Sequence, residues 1–151
     1  MRHYRHTFQV KAPLDAVAEF HRSSAALRQL SPPPMIVQFH RMDPMGEGSV
    51  SDFTMWLGPI PIRWTAVHAD VTTRHGFTDS QKRGPFRTWV HRHSFLEIDA
   101  TTTEIVDEIE AEPGNLISRL MWLNVPMLFA FRGWKTRRVL TRGSPAIQKS
   151  A

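Results

Sequence analysis

Two imidazoles two residues apart, bracketed by aromatic rings, are the part of this chain best equipped for chemistry: Trp89, His91, His93 and Phe95. They follow a Gly84-Pro85 turn, and because successive side chains of a strand point to opposite faces, all four share one face. A plain core strand would carry Val, Ile or Leu there. An apolar wall interrupted by a few polar groups is instead how small-molecule pockets are lined. Two histidines at this spacing could also reach one metal ion, which would need a third ligand and ordered groups behind the first ones. Asp79, His75 and Asp107 are available, but no motif groups them, and the chain has no cysteine and no HExxH-like helix. Neither a metal nor a cofactor is expected.

Asp107 lies mid-strand, where Thr103, Ile105, Asp107 and Ile109 share a face, and a neighbouring strand could bring His93 or His91 beside it. A His–Asp pair holds one imidazole tautomer and raises its basicity, which prepares a general base. The same pair would also serve merely to satisfy buried polarity. Were the protein an enzyme, His93 with Asp107 is the catalytic pair the sequence favours. Asp79 shares a face with His75 and Phe77 and fits either a cavity mouth or a turn cap. The expected cavity lining joins Phe77, Asp79 and Asp107 to the Trp89, His91, His93, Phe95 face. Trp56 and Trp64 add indole area, and Met127 and Phe131 come from a C-terminal helix; the tryptophans fit an ordinary core equally well. Nucleophile chemistry is poorly represented: Tyr4 is the only tyrosine, and no Gly-x-Ser-x-Gly elbow, phosphate loop or dinucleotide fingerprint occurs. Arg132, Arg137 and Arg138 could hold an anionic head group at a cavity mouth or form a solvated helix face.

The elements that must position these residues are legible from periodicity. Tyr4, His6, Phe8 and Val10 alternate with polar neighbours in a first strand, and Pro13 then suits the first turn of a helix through His21. A second short helix, 24–30, stops at Ser31-Pro32-Pro33-Pro34. Six strand-like runs follow, 35–42, 49–56, 62–71, 74–80, 88–98 and 103–111, divided by turn-forming clusters. Such short connections imply antiparallel neighbours. After Pro113-Gly114 the period becomes helical: Ile117, Leu120, Met121, Met127, Leu128, Phe131 and Trp134 fit one face of a long helix over 116–140, with a kink at Pro126.

At 151 residues, 41% hydrophobic and 22% charged, the chain suits one domain, here 1–142, with a flexible tail expected over 143–151. The absence of cysteine excludes disulfides and thiolate chemistry. Net charge is +5, but the basic residues are scattered except near the C-terminus, so nucleic-acid binding is not expected. The polar N-terminus suggests a cytoplasmic protein. Leu116 to Phe131, broken by Arg119, Asn124 and Pro126, falls short of the roughly 18 apolar residues of a spanning helix.

Strand, two short helices, six antiparallel strands and a long apolar helix together resemble the helix-grip fold of the START-like superfamily, also called SRPBCC. The run from Phe77 through Gly84-Pro85-Phe86 and Trp89-Val90-His91-Arg92-His93-Ser94-Phe95, followed by Thr103 to Glu110, is similar to bacterial polyketide cyclase/dehydrase-like members. The resemblance covers nearly the whole chain. It implies an α+β fold in which a curved sheet and the C-terminal helix enclose a cavity for a hydrophobic or amphipathic small molecule, whether lipid, quinone or polyketide-like. Binding is the first reading. A cyclase, aromatase or dehydratase using a His–Asp pair is the second, and a basic helix meeting an anionic membrane or partner is the third; a homodimer is compatible with each.

Overall fold

The computed structural model describes residues 1–142, so the tail expected from residue 143 lies outside the described residues. Seven strands, β1 (Arg2–Val10), β2 (Ile36–Met42), β3 (Val50–Leu57), β4 (Ile60–Thr72), β5 (Gly76–Arg83), β6 (Phe86–Asp99) and β7 (Thr102–Pro113), form one sheet in the order β1-β7-β6-β5-β4-β3-β2. Every pairing is antiparallel. The first strand therefore closes beside the last, and the five hairpins from β2 to β7 run outward to the far edge. Helices α1 (Leu14–Arg22) and α2 (Ser24–Gln29) connect β1 to β2. The architecture is an α+β helix grip, as the order of elements led one to expect.

Alternation holds along the central strands: Trp89, His91 and Phe95 are buried, whereas the intervening Val90, Arg92 and Ser94 are only partly covered. Gln81 locks the turn between β5 and β6, its amide donating to the Phe86 carbonyl at 2.7 Å and accepting from the Phe86 N–H at 3.3 Å. Gly76 opens β5 with φ +127°, and a Cβ there would stand 1.8 Å from the His93 carbonyl oxygen. Only glycine permits that approach of β5 to β6.

The long helix is two helices, α3 (Leu116–Leu123) and α4 (Val125–Arg142), rather than one kinked at Pro126. Pro126 has no N–H to give to the carbonyl four residues back, and its ring crowds that carbonyl, so the chain breaks at Asn124 and restarts. At its other end α3 is held by a capping box between Asn115 and Ser118. The break also resets the helical phase. Val125, Phe129, Gly133 and Thr136 face inward on α4, while Met127 is 66% and Trp134 49% exposed. Gly133 lets α4 lie close on β1, since a Cβ would meet His6 Nε2 at 3.1 Å and the Phe8 ring at 3.4 Å.

Two apolar clusters make up the interior. One gathers Phe53, Trp64, Phe86, Trp89 and Phe129; the other gathers Phe8, Leu14, Val17, Phe77, Phe95 and Ile105. His91 and His93 lie between them on β6, at the seam.

Candidate functional site

The register of three strands assembles the site. In the β5–β6 ladder Asp79 is opposite His91 and Phe77 is opposite His93; in the β6–β7 ladder His93 is opposite Asp107. Since all five side chains point inward, the two histidines have a carboxylate on each side. His91 Nε2 donates to Asp107 Oδ1 at 2.9 Å, and His91 Nδ1 lies 3.6 Å from Asp79 Oδ2. His93 Nε2 donates to Asp79 Oδ2 at 3.2 Å. Its Nδ1 lies 3.0 Å from Asp107 Oδ1, but outside hydrogen-bonding alignment. The imidazole centroids are 3.8 Å apart, and Phe129 meets the His91 ring edge-on at 5.2 Å.

Burial alone would neutralise every member of this group. For His93 burial is the largest influence, yet the two carboxylates outweigh it and push its pKa up to about 9. His91 goes the other way: burial and the charge on His93 lower its pKa despite the same carboxylates. Asp79 and Asp107 both stay below the ordinary carboxylate range, burial being overcome by the two imidazoles. His21, whose Nδ1 donates to the Val17 carbonyl at 2.9 Å, is lowered to about 4, chiefly by burial. The cluster thus separates one imidazolium from two neutral imidazoles.

Beside it lies a cavity of about 180 Å³. Its walls are apolar, with Phe53, Met55 and Trp64 from the sheet, Leu27 from α2, Met121 from α3 and Leu128 from α4. Its polar lining includes Asp79, His91, His93, His68, His21 and Arg132. Burial lowers the pKa of Arg132, and its Nε is buried with no hydrogen-bond partner among the described residues.

Of the residues expected to line a cavity, the structure places Trp64, Phe77, Asp79, Trp89, His91 and His93 on its surface. Asp107 stands behind the histidines rather than on the wall. Phe95 is fully buried against His21 at 4.9 Å, within the second apolar cluster. Trp56 is on the opposite face of β3, donating its indole N–H to Gln38 at 3.0 Å. The alternation of Ser51, Phe53 and Met55 required this, because Trp56 has the other parity. Met127 and Phe131 are off the cavity because the helix is phased differently, and Phe131 packs on Trp134 at 5.6 Å. Phe129, Leu128 and Arg132 take the inner positions.

The sequence does not place His21 or His68 in the site, and it offers Arg132 only together with Arg137 and Arg138, at a cavity mouth or on a solvated helix face. His21 is four residues past Val17 on a helix that packs on β6, a signal available only once that packing is known. Arg132 sits three residues after Phe129, on the same helix face, and of the three arginines it is the one that lines the cavity. Arg137 and Arg138 do behave as surface cations: Arg137 donates to the Gln9 carbonyl at 2.9 Å, and Arg138 lies over the Trp134 ring.

No protein-family profile and no curated protein matches the sequence. Solved structures do match. The aromatase/cyclase Zhui from Streptomyces sp. R1128 superposes at TM-score 0.69 and 21% identity over 95% of this chain and 99% of that one. A START superfamily protein from Mycobacterium smegmatis superposes at TM-score 0.70 and 11% identity, covering 94% of this chain and 99% of the other. The fold is START-like. A third match, norcoclaurine synthase from Thalictrum flavum in complex with dopamine and hydroxybenzaldehyde, reaches TM-score 0.72 at 13% identity over 96% of this chain and 89% of that one. Among the described residues of this START-like domain, no helix is long and apolar enough to cross a membrane.

Proposed function

We propose that the protein encloses a compact amphipathic molecule, its apolar body against Phe53, Trp64, Trp89 and Leu128 and an oxygen-bearing end toward His91, His93 and Arg132. The observation that carries this reading is the cavity itself: apolar side chains from the sheet and three helices beside a cluster of imidazoles, a carboxylate and a guanidinium. An unpartnered buried N–H costs about 1–3 kcal/mol, which a ligand oxygen at Arg132 Nε would recover. Size narrows the class. At about 180 Å³ the cavity is comparable to the roughly 150 Å³ apolar cavities that admit benzene and smaller than the roughly 300–1,000 Å³ of sites for drug-sized ligands. A one-ring aromatic fits that volume, and an extended lipid chain does not. The single-ring compounds in the norcoclaurine synthase complex are of this size class and support the reading.

Ligand-observed NMR with phenol, 4-hydroxybenzaldehyde and decanoate tests it, together with mass spectrometry of whatever co-purifies. The one-ring oxygen compounds are expected to bind and to be displaced by Ala66→Phe, which fills the cavity without replacing its polar lining. Preferential binding of the long chain, unaffected by Ala66→Phe, would overturn the assignment.

Proton transfer is the second reading, favoured by the 2.9 Å hydrogen bond from His91 to buried Asp107 beside the cavity. On this geometry His91, rather than His93, is the better-aligned partner of Asp107. Deuterium exchange at the methyl group of bound acetophenone measures it: His91→Gln should slow exchange by about 100-fold or more if His91 is the base.

A further inference from the structure

We propose that Asp79, His91 and His93 form a binding site for a zinc-like divalent cation with one coordination position open to the cavity, and that Asp107 braces it from behind. This deepens the reading of the cavity lining and rests on it only for what would occupy the open position.

The third ligand that the sequence did not group with the histidines is supplied by the sheet register, which sets Asp79 across from His91. The ligand atoms of Asp79, His91 and His93 all lie within 4.8 Å of one another. Asp79 Oδ2 is 3.6 Å from His91 Nδ1 and 3.2 Å from His93 Nε2. Four ligands at zinc bond lengths of about 2.0–2.1 Å stand about 3.3–3.4 Å apart at the corners of a tetrahedron. The two spacings to Asp79 bracket that value, so small adjustments of the three side chains would suit a tetrahedral ion.

Asp107 stands where the supporting carboxylate of a metal site would stand. Its Oδ1 is 2.9 Å from His91 Nε2 and 3.0 Å from His93 Nδ1, the two ring nitrogens that face away from Asp79. Metal-binding histidines characteristically give that second nitrogen to a carboxylate, which turns the remaining lone pair toward the ion. Asp107 does this for His91 and stands 3.0 Å from the corresponding nitrogen of His93, where a small rotation of that ring would align it. The three ligands are on the cavity surface and the brace is not, so the fourth corner opens toward the bound molecule. There the ion would polarise a ligand oxygen.

Isothermal titration of Zn2+ into tag-free, chelator-treated full-length protein tests the assignment, with Co2+ absorption as a second readout. One equivalent should bind, and Co2+ should give the visible bands of a four-coordinate site. Asp79→Asn and His93→Gln should each weaken binding by about 100-fold or more, and Asp107→Asn by about 10–100-fold. Circular dichroism on each variant establishes that it is folded, and Asp79→Asn, at the partly exposed side of the cluster, carries the test should the others unfold. Absence of saturable Zn2+ binding, or binding unchanged in folded Asp79→Asn, would overturn the metal site. Phenol binding to the chelated protein is read separately: if it persists while Zn2+ fails to bind, the metal inference falls and the cavity reading stands, and the reverse pattern separates them equally well.

Discussion

Asp79 and Asp107 flank the same pair of imidazoles from opposite strands, and each carboxylate has an oxygen within 3.6 Å of both rings. Neither residue is near His91 or His93 in sequence. The ladder on each side of β6 produces the arrangement, so the chemistry of the site is a property of strand register.

The two carboxylates should differ in their structural weight. Asp107 is buried and serves both rings, and removing one member of a buried charged group costs about 3–5 kcal/mol. Urea denaturation of Asp107→Asn should show a loss near that size, and Asp79→Asn, which retains some solvent contact, a smaller one.

In metal-free protein, stability should fall on both sides of a maximum near pH 6.5. His21 stays neutral in the fold down to about 4, whereas the unfolded chain takes up that proton near 6.5, so acidification through this window favours unfolding. His91, also lowered, adds to the acid limb. His93 is raised to about 9, so its contribution is complete below 6.5 and is lost as pH rises through 9. Thermal melts should lose the alkaline limb in His93→Gln and show a shallower acid limb in His21→Gln, the remainder coming from His91 and from the two carboxylates held below the usual range.

Phe129→Ala should cost about 3–5 kcal/mol, because this side chain is fully buried between Tyr4 and His91. Urea denaturation should read this loss, since the space opened lies between Tyr4 and His91.

Gly133→Ala should leave stability within about 1 kcal/mol of the original, since the helix propensity gained is of the size lost by crowding His6 and Phe8. Gly133→Leu cannot be accommodated and should lower the melting temperature, with a cost of about 1–3 kcal/mol.

How the sequence and structure correspond follows from which forces are local. Alternation on β6 is local, and it placed Trp89, His91 and His93 on one face. The parity rule that worked there also puts Trp56 outside, and its indole chemistry obscured that. The phase of α4 is not local. It depends on where Pro126 restarts the helix and on Gly133 admitting β1, so Phe129 and Arg132 turned inward while Met127 and Phe131 turned out. Asp79 is a candidate on sequence alone, but its partner is set by a hairpin whose closure depends on the Gln81 side chain reaching Phe86.

Gly76 adds a requirement that no list of reactive groups contains. Because any side chain there would collide with the His93 carbonyl, a descendant sequence could keep both histidines and both aspartates and still lose their alignment through one substitution at a position with no functional group. Searching for other proteins with this site therefore means searching for a residue defined by what it lacks, placed seventeen positions ahead of the second histidine.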